Sequence, residues 1–225
     1  MIKACIFDMD GTLANTIDTI AYYANTALKE CGLREIETEN YKYHVGSGYI
    51  QLVKNMFAEL GCEDDDLFNK VAAKYDEMYN KDVMFKTCAY DGIIPMLKQL
   101  KESGYKIGIV SNKPHEVLLG VVKILFGDIE FDGIEGGRDN VPLKPAPAML
   151  MKMLIDFGIR TNECAYFGDT KVDMQTGSRA GVNTVGVLWG FRKEDELVSN
   201  GAQYIISHPS EILPLMEKFK LLKDY

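Results

Sequence analysis

The spacing of apolar residues changes several times along this chain, and each change marks an element. Ala4 to Phe7 is a continuous apolar run of the kind a strand buried on both faces requires, and it stops abruptly at Asp8, Asp10 and Gly11. Ile17, Ile20, Ala21, Ala24, Ala27 and Leu28 then recur at three- and four-residue spacing, the signature of one buried helix face, and Gly32 suits a left-handed cap behind it. Residues 49–60 and 65–79 read as two more helices around a turn at Gly61. The acidic run 63–66 between them suits a helix N-terminus or a solvated loop. No segment between 32 and 82 reads as a buried strand.

From Gly92 the pattern alternates. Helices are expected over 93–102, from Pro114 to about 126, from Pro145 to about 157, over 172–180 and from Pro209 onward. Strands are expected over 106–110, 130–134, 164–167, 183–187 and 203–206. Strands separated by helices make a parallel sheet covered on both faces. The expected fold is therefore α/β. A Rossmann-like core comprises residues 1–14 and 86–225, and an all-helical cap over 15–85 is inserted after the first strand. Parallel sheets bind ligands beyond the carboxyl ends of their strands. That rule draws Asp8 and Asp10, Ser111 and Asn112, and Gly168 and Asp169 to one edge, with Lys144 added from the start of a helix.

Composition narrows the partners. The net charge of −8 argues against general nucleic-acid binding, which needs a basic footprint. It also means that an anionic substrate needs local positive charge from a metal or a lysine. The five cysteines are scattered without a C-x-x-C spacing, as expected of reduced thiols in a cytoplasmic protein. No apolar stretch approaches a membrane span and no leader is visible, so no membrane partner is expected. Nothing in the pattern decides between a monomer and a homodimer.

The convergent set is carboxylates, one hydroxyl, one amide and one lysine. No Ser-His-Asp arrangement is visible, His44, His115 and His208 lie away from strand ends, and His115 is expected to be exposed. Oxygen-rich ligands without His or Cys favour a hard cation such as Mg2+, which also offsets the cost of burying several acids. With Mg2+ the natural chemistry is phosphoryl transfer. One carboxylate attacks phosphorus and a second carries a proton, while the Gly11-Thr12 turn offers N–H groups to phosphate oxygens.

Four stretches in this order resemble the motifs of the haloacid dehalogenase-like hydrolases. They are Asp8-Met9-Asp10-Gly11-Thr12-Leu13, the strand end Ile109-Val110-Ser111-Asn112-Lys113-Pro114, Lys144-Pro145, and Gly168-Asp169-Thr170-Lys171-Val172-Asp173. The resemblance implies that Asp8 is the nucleophile and Asp10 the general acid/base, and that Ser111 and Lys144 bind the phosphoryl group. It also implies Mg2+ on the side chains of Asp8 and Asp169 and the carbonyl of Asp10, with Asp173 supporting it. Within the family the chain looks most like phosphoglycolate phosphatases. This rests on His44-Val45-Gly46-Ser47-Gly48, Tyr90-Asp91-Gly92-Ile93, Val110-Ser111-Asn112-Lys113-Pro114 and Gly186-Val187-Leu188-Trp189-Gly190. Gly46, Ser47, Gly48 and Asn112 are then expected near a small phosphorylated substrate. Where relatives often have a basic residue before the motif lysine, this chain has Leu143, so Arg138 and Lys171 are the candidates for extra positive charge. A pyrophosphatase, a sugar-phosphate mutase and an inactive binding protein remain as alternatives.

Overall fold

The computed structural model describes residues 1–221. In chain order the elements are β1 (Ala4–Phe7), β2 (Ala14–Asn15), α1 (Ile17–Glu30), α2 (Thr38–His44), α3 (Tyr49–Leu60), α4 (Asp65–Lys81), β3 (Cys88–Ala89), α5 (Ile93–Glu102), β4 (Lys106–Pro114), α6 (His115–Phe126), β5 (Gly133–Gly137), α7 (Ala148–Phe157), β6 (Cys164–Gly168), α8 (Lys171–Ala180), β7 (Asn183–Val187), α9 (Glu194–Ser199), β8 (Tyr204–Ile206) and α10 (Ile212–Leu221). Six strands form one parallel sheet in the order β5-β4-β1-β6-β7-β8, so the fold is α/β and Rossmann-like as expected.

The apolar run of β1 is explained by its central place. Cys5 and Phe7 face one core with residues of α5, α6 and α10, where Phe7 stacks on Phe167 of β6 at 4.8 Å. Ala4 and Ile6 face the other core, with Met149, Leu150 and Met153 of α7. The order in which strands are added reverses at β1, since the chain moves outward to β4 and β5 and returns to β6 on the other flank. Such a switch point leaves a crevice at the carboxyl edge. Phe7 is level with Ile109 of β4 and Phe167 of β6, so the residues that follow these three strands emerge side by side.

The helices α1 to α4 bury an apolar cluster of their own, including Ile20, Ala24, Leu28, Tyr41, Met56 and Tyr75, and Phe191 from the loop after β7 joins it. The acidic run resolves as the start of α4, where the Asp64 side chain accepts from the Leu67 N–H. Helix α2 was not expected, because it is short and only Tyr41 is buried in it. The antiparallel ribbon β2–β3, with Ala14 opposite Ala89 and Asn15 opposite Cys88, was not expected either. Two residues are too short a run to show a period.

Several boundaries differ from expectation, and three of the differences have a local cause. Helix α7 begins at Ala148 rather than Pro145, because Pro147 disfavours helical backbone at Ala146 before it. Strand β5 covers 133–137 rather than 130–134, since its glycines weaken the strand signal. Gly133 is accommodated there because Phe157 and Met153 pack directly over it. Strand β4 runs on to Pro114, so α6 begins one residue later, at His115.

Candidate active site

Asp8 follows β1 directly, and its carboxylate is almost fully buried. Lys144, with 1% of its side chain exposed, places Nζ 2.8 Å from Asp8 Oδ1 and 2.7 Å from Asp173 Oδ1. Its aligned hydrogen bonds go to Asp173 Oδ1 and, at 3.2 Å, to the Tyr166 hydroxyl, so the contact with Asp8 is an ion pair and one N–H of the ammonium stays available. Burial opposes the charge of Lys144, yet the carboxylates of Asp173 and Asp8 hold it protonated well above the usual lysine range.

The Lys144 backbone is fixed by Asn112. Its side-chain Oδ1 accepts from the Lys144 N–H at 2.7 Å and its Nδ2 donates to the Lys144 carbonyl at 2.9 Å. Nδ2 also donates to the Gly46 carbonyl in the loop between α2 and α3, at 2.9 Å. Arg192 donates to the neighbouring Val45 carbonyl at 3.3 Å, so two core side chains hold consecutive carbonyls of that loop.

Asp169 is fully buried at the end of β6. Thr12 Oγ1 donates to its Oδ1 at 3.0 Å and the Phe191 N–H to its Oδ2 at 2.8 Å. Gly11 lies against this carboxylate with φ of 91°, and a Cβ there would collide with it. The chain must therefore carry glycine here for both conformation and space. The Trp189 indole donates to the Thr12 carbonyl at 2.9 Å and pins the turn.

Carboxylate oxygens of Asp8, Asp169 and Asp173 all lie within 4.8 Å of one another. Burial, then the charge of Asp173, pushes Asp8 up to about 7 against the opposing pull of Lys144. Burial and the charges of Asp173 and Asp8 also raise Asp169 well above the ordinary carboxylate range. Three buried acids with one lysine among them leave negative charge uncompensated, and an all-oxygen donor set suits a hard divalent cation. The residues present fit such an ion.

The titration of Asp8 has a consequence for stability. A carboxyl group whose folded pKa lies above its unfolded value of about 3.9 binds more protons when folded, so its contribution falls as pH rises from about 4 to about 7. The stability of metal-free wild type relative to Asp8→Asn is expected to fall across that window. Urea titrations of both proteins between pH 5 and 8 measure it, and a flat difference would contradict the burial argument.

A cavity of about 70 Å³ lies above these residues. Asp8, Asp10, Ser111, Asn112 and Lys113 line it from the core, and Ile20, Gly46, Gly48, Tyr49, Tyr75 and Tyr79 are among its other walls. The structure thus brings Asp8, Asp10, Ser111, Asn112, Gly46 and Gly48 to the cavity, with Lys144, Asp169 and Asp173 around Asp8. Ser47 does not line it. Gly11 and Thr12 depart from expectation. The Gly11 N–H donates to the Ala14 carbonyl and the Thr12 N–H to the Met9 carbonyl, so the turn spends these donors on itself and its side chain on Asp169.

The extra positive charge also lies elsewhere than expected. Arg138 pairs with Glu135 at the β5 edge, Lys171 is exposed, and His115 is half-buried against Gly136. Lys113, whose side chain is 4% exposed, reaches the cavity instead, with Nζ 3.0 Å from Asp10 Oδ1 and 2.6 Å from the Tyr79 hydroxyl. The signal for Lys113 was its place directly after Ser111-Asn112. Tyr75 and Tyr79 carried none, because tyrosines one turn apart on an amphipathic helix look like ordinary core.

The haloacid dehalogenase-like hydrolase family model matches residues 5–187, a stretch that includes Asp8, Asp10, Ser111, Lys144, Asp169 and Asp173. The chain belongs to this family. A phosphoglycolate phosphatase of Aquifex aeolicus is 31% identical over 96% of the chain and 97% of its own length. One from Nitrosospira multiformis is 29% identical over 96% of each. A solved structure from Lactobacillus delbrueckii, a candidate phosphoglycolate phosphatase, is 29% identical and superposes with a TM-score of 0.85. It covers 93% of this chain and 96% of its own. This haloacid dehalogenase-like hydrolase is an enzyme of the phosphoric monoester hydrolase class. No helix among its described residues is long and apolar enough to cross a membrane.

Proposed function

We propose that the enzyme hydrolyses small phosphomonoesters through an aspartyl-phosphate on Asp8, with Mg2+ as cofactor and phosphoglycolate as the substrate type. The observation that carries this reading is the buried carboxylate of Asp8, held 2.8 Å from the Lys144 ammonium at the floor of a cavity. Asp8 and Asp169, with the backbone carbonyl of Asp10, would hold the ion. Mg2+ bound there supplies neutralisation of charge on the phosphoryl oxygens.

Asp8 attacks phosphorus, forming an O–P bond as the ester O–P bond breaks, and Asp10 gives its proton to the departing oxygen. Water then attacks the aspartyl-phosphate, Asp10 takes a proton from that water, and Asp8 is released with inorganic phosphate. Lys144 and the Ser111 hydroxyl donate to phosphoryl oxygens as charge develops on them. Asp173 acts mainly by orienting Lys144, because its two oxygens already accept from Lys144, Tyr166, Thr170 N–H and Thr170 Oγ1. Asn112 serves the same purpose by fixing the Lys144 backbone, and Gly11 and Thr12 by fixing Asp169. The helices over 15–85 act as a cap that excludes water and limits substrate size. The cavity of about 70 Å³ is far below the ~300–1,000 Å³ of sites for drug-sized ligands, which favours a short substrate over nucleotides or hexose phosphates.

Purified enzyme is expected to release phosphate from phosphoglycolate and from an aryl phosphate, to stop when the metal is chelated, and to recover when Mg2+ is restored. A panel that adds pyrophosphate, nucleotides and hexose phosphates decides the substrate. The reading is lost if no member of the panel gives metal-dependent release.

A further inference from the structure

The two lysines of the site are used differently. Lys144 makes two aligned hydrogen bonds, to Asp173 and Tyr166, and an ion pair with Asp8. Lys113, nearly as buried, makes one aligned hydrogen bond, to the Tyr79 hydroxyl. Asp10 Oδ1 lies 3.0 Å away, but the ammonium is not aligned to it, and that oxygen has no hydrogen-bond partner among the described residues. Two N–H groups of a buried ammonium are therefore left without an aligned acceptor. The Tyr79 oxygen accepts from Lys113, so its own O–H likewise has no acceptor among the described residues. Buried donors are nearly always satisfied, and those that are not point to a missing partner.

Both groups face the cavity, and Lys113 is the one cation among its lining residues. Tyr79 is held in place by stacking on Tyr75 at 5.3 Å, and its ring lies 4.7 Å from Lys113 Nζ. The missing partner is thus an acceptor with negative charge, small enough for this space and carried by the molecule that also presents its phosphoryl group to Asp8.

We infer that Lys113, with Tyr79 from the helical cap, receives a second anion of the substrate, a carboxylate a carbon or so from the ester oxygen, and so sets the enzyme's preference for phosphorylated short-chain acids. This rests on the phosphatase reading above and adds the residues that choose among small esters. The carboxylate accepts from the unspent donors of Lys113 and from the Tyr79 hydroxyl. Lys113 stands on the core and Tyr79 on the cap, so an acid substrate bridges the two and a neutral-tailed one does not.

Lys113 also touches Asp10, so its removal lowers activity on every substrate, and only the ratio between substrates isolates the proposed contact. The experiment compares kcat/KM for phosphoglycolate and for ethyl phosphate, which has the same ester chain without the carboxylate. Wild type is expected to prefer phosphoglycolate by at least about 10-fold, and in Lys113→Met that preference is expected to drop roughly 10- to 100-fold, as for loss of a charged hydrogen bond. Lys113→Arg retains part of it, and Tyr79→Phe lowers it less than Lys113→Met. Equal use of the two esters by wild type overturns the inference without any variant having to fold. So does a preference in Lys113→Met within about 2-fold of wild type. Hydrolysis of both esters without preference leaves the phosphatase reading standing. Failure to hydrolyse any ester overturns that reading and this inference with it.

Discussion

Asp8→Asn is expected to reduce turnover by about 10⁴-fold or more while leaving the protein folded. The size follows from removing the nucleophile outright, since groups that act as the attacking unit of a site cost factors of this order when lost. Asparagine keeps the shape of the side chain but cannot form the acyl-phosphate. It is also neutral in a place where burial and Asp173 already disfavour the charge, the reason Asp8 is raised to about 7. The variant is therefore expected to melt no lower than wild type near pH 8, in contrast to its loss of activity. Rapid quenching of wild type with substrate should leave phosphate on the peptide that contains Asp8, and none in the variant. Retention of more than about one per cent of activity would remove Asp8 from the role of nucleophile.

Lys144→Met is expected to fail in both respects. Among the described residues its ammonium is the one positive group in contact with Asp8 and Asp173, at 2.8 and 2.7 Å. Breaking a buried pair by deleting one partner leaves uncompensated charge and typically costs about 3–5 kcal/mol, because the remaining acids must either stay charged without a counter-ion or take up protons. Methionine keeps most of the side-chain volume, so the loss reads charge rather than packing. Activity is expected to fall by about 10²- to 10³-fold for loss of a donor to the phosphoryl oxygens. Mg2+ should restore more stability to the variant than to wild type, since a cation then compensates the same carboxylates. Urea titrations with and without Mg2+ measure both effects. An equally stable variant would mean that Lys144 is not the counter-ion of the buried acids.

These outcomes separate what the motifs carry from what the fold adds. Asp8, Asp10, Ser111 and Asp169 were legible because burying polar groups at strand ends is expensive and demands a functional explanation, whereas Lys144 stood out at the start of a helix and Asp173 through the resemblance of its motif to the family's. Their neighbours were harder to read. Thr12 was expected to face a phosphate, yet its hydroxyl serves Asp169, 157 positions away along the chain. Asn112 was expected near substrate, yet it ties Lys144 to the loop that carries Gly46. No local pattern distinguishes a donor aimed at a ligand from one aimed at a distant backbone group.

The order of apolar and polar residues was enough to predict an α/β core, a helical segment after the first strand, and Asp8, Asp10, Ser111 and Asp169 at one edge. Burial period and the cost of buried charge both act locally, so they can be read along a line. Which cation enters the cavity was decided only in three dimensions. Lys113 needed β4 to run on past Ser111 and α4 to fold over it, bringing Tyr79 within 2.6 Å from 34 positions away. Side chains reach a shared space by routes that depend on packing, and spacing along the chain carries no trace of them.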